Sequence, residues 1–455
     1  MLNSDMQMHH HYTPESVAVV LARHTPRVIR RILEPSVGDG ILLSPIIRKV
    51  DCRRISVTAL DIDAKAVDKA KKFLGESFHP SSQFIHDDFL QWATRVDRTI
   101  QYDCIVMNPP FAARKNRWVS ADISHFLGTD SPRTRMVPLE VAFLVSAIPL
   151  LAPRGRLLAV LPSSVVAADG QGWFRQELLK QGTVTHVHEL PHRTFPKLES
   201  RFYLLVFAEG LSARTVELRN HDLHHPEKLK AKWSVLGSTL RLDYAFSQAN
   251  QMLGKLRSRA SYNWKQLSEV AEILRGSVDA DDRRSSAVRP ADQCDGFWAQ
   301  GKRPLRKRTT LDLVHVKQGD LLMKRVGRGC SMSLGLANGV QRLSCSECLF
   351  IIRPNSLAET NRLLFVFRTL MNIRELVPLL ERGCGAPYIT EGSLRALIIP
   401  WNLPSVYPKR FASYESCIRK KDVESMRQIE DELAQNILQK CNKEGIDKSP
   451  TGRLS

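Results

Sequence analysis

Short apolar runs separated by longer amphipathic stretches mark the first 215 residues of this 455-residue chain. Val28–Leu33 reads as a strand. It leads into Glu34-Pro35-Ser36-Val37-Gly38-Asp39-Gly40, and then into an apolar, helix-compatible run from Ile41 to Val50. Ile55–Leu60 predicts a second strand, closing on Asp61-Ile62-Asp63 ahead of the helical pattern AKAVDKAKKFL. A third, Gln83–His86, runs into Asp87-Asp88-Phe89-Leu90, and a fourth, Asp103–Met107, into Asn108-Pro109-Pro110-Phe111. PLEVAFLVSAIPLLAPRG then predicts a helix closing on Pro-Arg-Gly, and RLLAVLPSSVV, THVHELP and RFYLLVFAE predict three more strands. Strands alternating with helices predict an α/β fold with a doubly wound, mostly parallel sheet.

The four early strand ends deliver binding groups to one edge, which is where such sheets hold ligands. The glycines at 38 and 40 let a ligand approach bare backbone. An acid at the tip of the second strand suits ribose hydroxyls. Asp88 offers an acceptor to an adenine amine, and Phe89 a ring to stack on it. The fourth end is the most unusual. Each proline fixes φ and removes an N–H, and the residue before it is pushed to extended geometry. The result is a stiff corner that carries the Asn108 side chain, the carbonyls of Asn108 and Pro109, and the Phe111 ring.

Composition changes the picture in the second half. The 43% apolar content fits folded domains, and the length predicts two or three of them. Residues 216–240, with HDLHHPEKLKAKW, read as a polar linker; Arg241-Leu242-Asp243-Tyr244 opens a new region that runs to about 410. The net charge is +19, and residues 241–410 alone hold 27 Lys and Arg against 15 Asp and Glu. Such an excess fits a polyanion-binding module, with a solvated basic surface as the plain alternative. Arg303, Arg306, Lys307 and Arg308, and the pair Lys324 and Arg325, are the candidate phosphate contacts. Ile418, Met426, Ile429, Leu433 and Ile437 predict a C-terminal helix over 411–441, followed by a tail to 455.

Nine scattered cysteines without a disulfide framework point to a reducing cytoplasm. Cys345 and Cys348 form a lone CxxC. Cys330 and Cys384 would complete a zinc set, but a second close pair is missing and no metal is assigned. His9-His10-His11 reads as a polar entry segment. No run approaches the ~20 apolar residues of a membrane span, and the N-terminus lacks a signal-peptide core.

Taken in order and spacing, the lead-in HHYTPESVAVVL, EPSVGDG, ALDID, HDDFL and NPPF resemble the gamma class of DNA adenine-N6 methyltransferases, the Taq-type modification enzymes of restriction systems. NWKQLSEVAEILRG, VKQGDLLMKRVGRG, LFIIRPN and ITEGSLRALIIP resemble, more diffusely, the target-recognition domains of such enzymes and of Type I specificity subunits. The resemblance implies a class I methyltransferase domain over 1–215, an α+β target-recognition domain over 241–410, and a nucleoid-associated protein. Its donor would be S-adenosyl-L-methionine, its substrate double-stranded DNA, and its partner a separately encoded restriction endonuclease.

By the same resemblance, Tyr12, Thr13 and Pro14 would flank the methionine part of the donor, with Glu34, Pro35 and Gly38 beneath it. Asp61 would take the ribose hydroxyls, with Asp63 as competitor, and Asp88 and Phe89 would read the adenine. Asn108 borders both ligands. Its side-chain oxygen and the Pro109 carbonyl would hold the two hydrogens of the target amine, with Pro110 stiffening the corner. Phe111 would stack on a base rotated out of the duplex, where the family more often carries tyrosine. Phe195, in HRTFPK, falls where these enzymes carry a ring that fills the gap left by that base. The same corner occurs in enzymes that methylate protein glutamine or ribosomal guanine. RNA or protein transfer therefore stays open beside DNA, as does a non-catalytic DNA-binding specificity subunit, for which the corner has no use.

Overall fold

The computed structural model describes residues 13–75, 78–111, 118–191, 194–195, 201–211, 215–221, 229–236, 241–258, 262–279, 287–294, 297–298, 314–337, 343–383 and 387–443. The chain forms two compact units, Met1–Tyr244 and Ala245–Ser455.

The first unit runs α1 (Glu15–Ala22), β1 (Arg31–Glu34), α2 (Ser44–Ile47), β2 (Ser56–Asp61), α3 (Ala64–Leu74), β3 (Gln83–His86), α4 (Phe89–Arg95) and β4 (Tyr102–Met107). It continues with β5 (Trp118–Asp122), β6 (Thr134–Pro138), α5 (Leu139–Ala147), β7 (Leu151–Pro162), α6 (Ser163–Val166) and α7 (Gly172–Gln181). It ends with β8 (Gly182–Glu189), β9 (Phe202–Glu209), β10 (Thr215–His221) and β11 (Leu229–Leu236). Nine strands make one sheet in the order β11-β10-β8-β9-β7-β4-β1-β2-β3. Strands β9 and β11 run antiparallel to their neighbours, and every other pairing is parallel. This is the doubly wound, mostly parallel α/β architecture that the alternation of strands and helices predicts.

The sequence of β4 explains its central place. A strand covered on both faces is apolar throughout. Ile105 and Met107 enter the core shared with α5 and α7, while Cys104 and Val106 enter the one shared with α1 and α2. Helices start where acids can cap them: Asp63 accepts from the Lys65 amide at 2.9 Å to open α3, and Asp88 from the Leu90 amide at 2.8 Å to open α4.

The structure departs from the sequence expectations in several places. The run from Ile41 yields only the four-residue α2. The PLEVAF helix stops at Ala147, two residues before Pro149, and the LAPRG segment belongs to β7 instead. Within the expected linker over 216–240, residues 216–221 and 229–236 are strands of this sheet. In β10, Val216 and Leu218 alternate inward, fully buried, and Leu242 and Tyr244 join the same core. The Tyr244 amide donates to Glu189 at 3.1 Å, and Arg241 grips Asp243 through two contacts at 2.8 and 2.7 Å. The first unit therefore ends at Tyr244, not at residue 215.

Strands β8 and β10 also line up buried imidazoles. His188 Nε2 meets His24 Nε2 at 2.9 Å, and His188 Nδ1 meets His221 Nε2 at 2.6 Å. Each contact needs one proton between two nitrogens. Burial, with His186 and arginine charges adding, pulls His24 down to about 3.

The second unit is α+β. Its six-stranded sheet places Ala271–Arg275 beside Leu349–Pro354, then Leu321–Lys324, Gly335–Ala337, Phe297–Trp298 and Gln293–Cys294. Helix Thr360–Met371 fills the core against that sheet, together with the helices Pro408–Lys420 and Val423–Lys443. The single C-terminal helix expected over 411–441 is thus two. The chain turns at Lys421, whose φ of 57° is left-handed, and Asp422 caps the second helix by accepting from the Ser425 amide at 3.1 Å. This pair belongs to the second unit's core.

Candidate active site

The ends of β1, β2 and β4 and the turn beyond β3 meet along one sheet edge, joined by hydrogen bonds. Asp61, at the tip of β2, accepts from the Gly38 amide at 2.8 Å and, through its other oxygen, from the Asp63 amide at 3.0 Å. Its carbonyl takes the Asp87 amide at 3.0 Å. The Ser36 hydroxyl donates to the Asn108 carbonyl at 3.1 Å, and Asn108 Nδ2 donates to Thr13 Oγ1 at 2.9 Å. The turn after β1 is therefore fixed on one side to β2 and on the other to the Asn-Pro-Pro-Phe corner. That turn needs its glycines, since Gly38 and Gly40 sit at φ +51° and +80°.

Glu34 lies at the foot of the turn, 1% exposed, and its Oε2 meets no hydrogen-bond donor among the described residues. Burial pushes its carboxyl well above the usual range, and the neighbouring Asp61 pushes it further. A buried carboxyl of this kind is a seat for a cation. Ionising it costs the folded state, so its contribution to stability falls as pH rises from the ordinary carboxylate range through the folded pKa. Glu34→Gln cannot ionise. It is expected to raise the thermal midpoint of the unliganded protein at pH 8 and to leave it unchanged at pH 4, as read by calorimetry. Equal shifts at both pH values would contradict this account.

At the corner, Asn108, Pro110 and Phe111 are half-buried and Pro109 is buried. Asn108 Oδ1 is shielded from solvent, so a ligand reaches it only when the neighbouring chain gives way. The Asn108 carbonyl is taken by the Ser36 hydroxyl rather than by a neighbouring strand. The Phe111 ring lies 4.9 Å from Phe202, which lies 4.5 Å from Phe195.

Several expected site residues have other work. Thr13 holds the corner, and the Pro14 carbonyl accepts from the Val17 amide at 3.0 Å at the start of α1. Pro35 is buried beside Glu34. Asp63 caps α3, which leaves Asp61 as the acid at the strand tip. Asp88 caps α4 through Oδ1. Phe89 is 2% exposed, its ring 5.1 Å from Phe143, so it belongs to the core and offers almost no face to a ligand. Ile62, beside Asp61 and 43% exposed, is a large apolar group this edge does present. Phe195 is likewise sealed at 2% exposure, packed on Phe202, and in this arrangement cannot enter a duplex.

In the second unit, Lys324 and Arg325 are half-buried, and Arg325 Nε donates to the Glu347 carbonyl at 3.0 Å, bracing a turn. Tyr12, Arg303, Arg306, Lys307, Arg308 and Cys384 lie outside the described residues. Burial pushes the Cys330 and Cys345 thiols up to about 12, which keeps them protonated. Among the described residues, no group of three His, Cys, Asp or Glu is placed to hold a metal, and no helix is long and apolar enough to cross a membrane. Sequence reasoning gave no role to Ser36 and set Thr13 against the donor. The available signal was a hydroxyl in each turn, next to a corner with carbonyls to satisfy.

A family model described as N-6 DNA Methylase matches residues 3–232. A tRNA1(Val) (adenine(37)-N6)-methyltransferase of Tolumonas auensis is 28% identical over 166 residues, 35% of this chain and 65% of that enzyme. Type II methyltransferase M.BsuBI of Bacillus subtilis is 21% identical over 208 residues, 41% of this chain and 40% of that enzyme. This chain thus spans less than two thirds of the length of either relative. Among solved structures, a type I restriction-modification methyltransferase subunit from Streptococcus thermophilus aligns over 46% of each chain, at 20% identity and a TM-score of 0.39. The type IIG restriction endonuclease BpuSI aligns over 96% of this chain and 66% of its own, at 14% identity and a TM-score of 0.46.

Proposed function

Because this chain belongs to the N-6 DNA methylase family, we propose that it transfers a methyl group from S-adenosyl-L-methionine to the N6 of an adenine extruded from a specific site in duplex DNA. The observation that carries the reading is the bonded edge itself. The amine-binding corner is fixed through Ser36 to the turn that carries Gly38 and Glu34, and that turn is fixed to Asp61.

The donor fits the residues present. Glu34 offers a buried carboxyl to a cationic ligand, and Asp61, held by two backbone amides, keeps lone pairs for a pair of hydroxyls. When bound, S-adenosylmethionine supplies an electrophilic methyl on a sulfonium. The chain's task is to make a delocalised amine nucleophilic. Asn108 Oδ1 and the Pro109 carbonyl accept the two amine hydrogens, drawing the nitrogen toward tetrahedral geometry with its lone pair directed out of the ring. So held, the nitrogen would be placed to take the donor's methyl as its bond to sulfur breaks, and the amine proton it sheds would pass to solvent. No general base is required at the start; positioning and preorganised dipoles do the work. Phe111 stacks on the extruded base.

The second unit, Ala245–Ser455, would be the target-recognition domain, a role supported by the basic excess of its sequence. A modification role in a restriction-modification or related defence system, with a separately encoded endonuclease and a cytoplasmic, nucleoid-associated location, follows from the same reading. The tRNA methyltransferase relative favours RNA as the second reading, yet its match takes in 35% of this chain and gives no reason for a further basic unit. Tritiated donor offered with duplex DNA, tRNA and protein decides between them. Label recovered as N6-methyladenine from DNA supports the reading, and label confined to tRNA or protein overturns it.

A further inference from the structure

The hairpin of β5 and β6 interrupts the crossover from β4 to α5. In a parallel β-α-β unit the helix runs back along the sheet, so its N-terminus stands at the strands' C-terminal edge. Strand β6 ends at Pro138 and α5 begins at Leu139, which puts the hairpin on the edge that carries Asn108. Phe111 and Trp118 are seven positions apart in the chain, a reach of at most about 25 Å, similar to the width of a duplex.

The register divides the hairpin into two faces. Val119 pairs with Val137 and Ala121 with Arg135; of this set Ala121 and Val137 are buried in the α5 core, which anchors the element. Trp118 pairs with Pro138, Ser120 with Met136, and Asp122 with Thr134, and this second face is open apart from Pro138. Trp118 is 54% exposed and Met136 56%, and as diagonal neighbours they form one apolar patch. Among the described residues, no other helix or strand of the first unit exposes two large apolar side chains. The hydroxyls of Ser120 and Thr134 lie beside the patch on the same face, and Arg133 is exposed just beyond Thr134; Arg135 belongs to the opposite face, with its guanidinium 4.3 Å over the Trp173 ring. The Asp122 carboxylate, the acid on this face, is turned onto Ser124, accepting from its amide at 2.9 Å and its hydroxyl at 2.5 Å.

A patch of two side chains is small for a protein partner. An aromatic ring flanked by hydroxyls, with the Arg133 guanidinium exposed at the end of the face, suits stacked bases and their phosphates. Phe195 is sealed in the core, so it offers no ring to the base stack around the extruded adenine. We propose that the open face of the β5–β6 hairpin is a stacking platform for duplex DNA, with Trp118 and Met136 packing against the bases that flank the extruded adenine. This rests on the function proposed above.

The test uses the full chain, tritiated S-adenosylmethionine and duplex DNA from a host lacking the modification. Trp118→Ala combined with Met136→Ala is expected to raise the KM for duplex DNA about tenfold or more, with donor affinity within twofold of wild type. Trp118→Phe, which keeps a ring, is expected to stay within about threefold of wild type on DNA. Wild-type methylation of DNA with unchanged KM and kcat in the double variant would overturn the platform alone. Absence of transfer to duplex DNA by the wild type would overturn the parent reading and the platform with it.

Discussion

Asn108→Ala is expected to slow methyl transfer by about 10²–10³-fold or more while leaving S-adenosylmethionine affinity within about threefold. On the proposed mechanism, losing the side chain removes one of two acceptors that fix the amine, so the nitrogen lone pair stays delocalised into the ring. The tie from Nδ2 to Thr13 matters here, because it sets the side-chain rotamer before substrate arrives, so that once the neighbouring chain has given way the acceptor itself need not turn. Its shielding strengthens the effect, since a dipole in a low-dielectric site acts more strongly than one in water. The donor's predicted contacts, Glu34 and Asp61, belong to other strand ends and stay in place. Single-turnover tritium transfer beside calorimetric donor binding separates the two quantities. Near-normal turnover in the variant would remove the clamp from the mechanism.

The largest loss of stability is expected from Glu430→Ala in the second unit. Glu430 is 1% exposed and takes Arg368 Nε at 2.7 Å, a second Arg368 nitrogen at 3.1 Å and the Tyr414 hydroxyl at 2.5 Å. Arg368 is itself 6% exposed, so removing the carboxylate strands a guanidinium among apolar side chains. Breaking a buried pair in this one-sided way costs about 3–5 kcal/mol. For a unit of this size that lowers the melting temperature by roughly 10 °C. Replacing both partners, as Arg368→Met with Glu430→Leu, is expected to recover most of the loss, because neither charge is then buried. A fall of under about 2 °C in the single variant, by calorimetry, would show that the interior accommodates the charge some other way.

How much could be read from the sequence depended on whether a residue's task was local. The corner after β4, the glycines after β1 and Asp61 at the tip of β2 were legible, because backbone chemistry at a strand end restricts which residues can stand there. Strand β10 was misread although Val216 and Leu218 alternate with polar neighbours; the histidines and lysines that follow drowned that pattern. Hairpin β5–β6 went unseen because its open face breaks the apolar run a buried strand would show. Phe89 and Phe195 look like ligand rings in sequence, and only the packing of Phe143 and Phe202 against them decides otherwise. The Thr13–Asn108 contact joins residues far apart in the chain, and no periodicity reports such a pair.

The position of β10 governs where the chain can be severed. A fragment stopping at residue 215 would leave one border of β8 bare from His186 to Glu189, a row of unanswered amides and carbonyls that invites other chains to add themselves. It would also deprive His188 of His221 and strip Leu218 and Leu242 from the interior. A fragment carried through Tyr244 keeps that border covered.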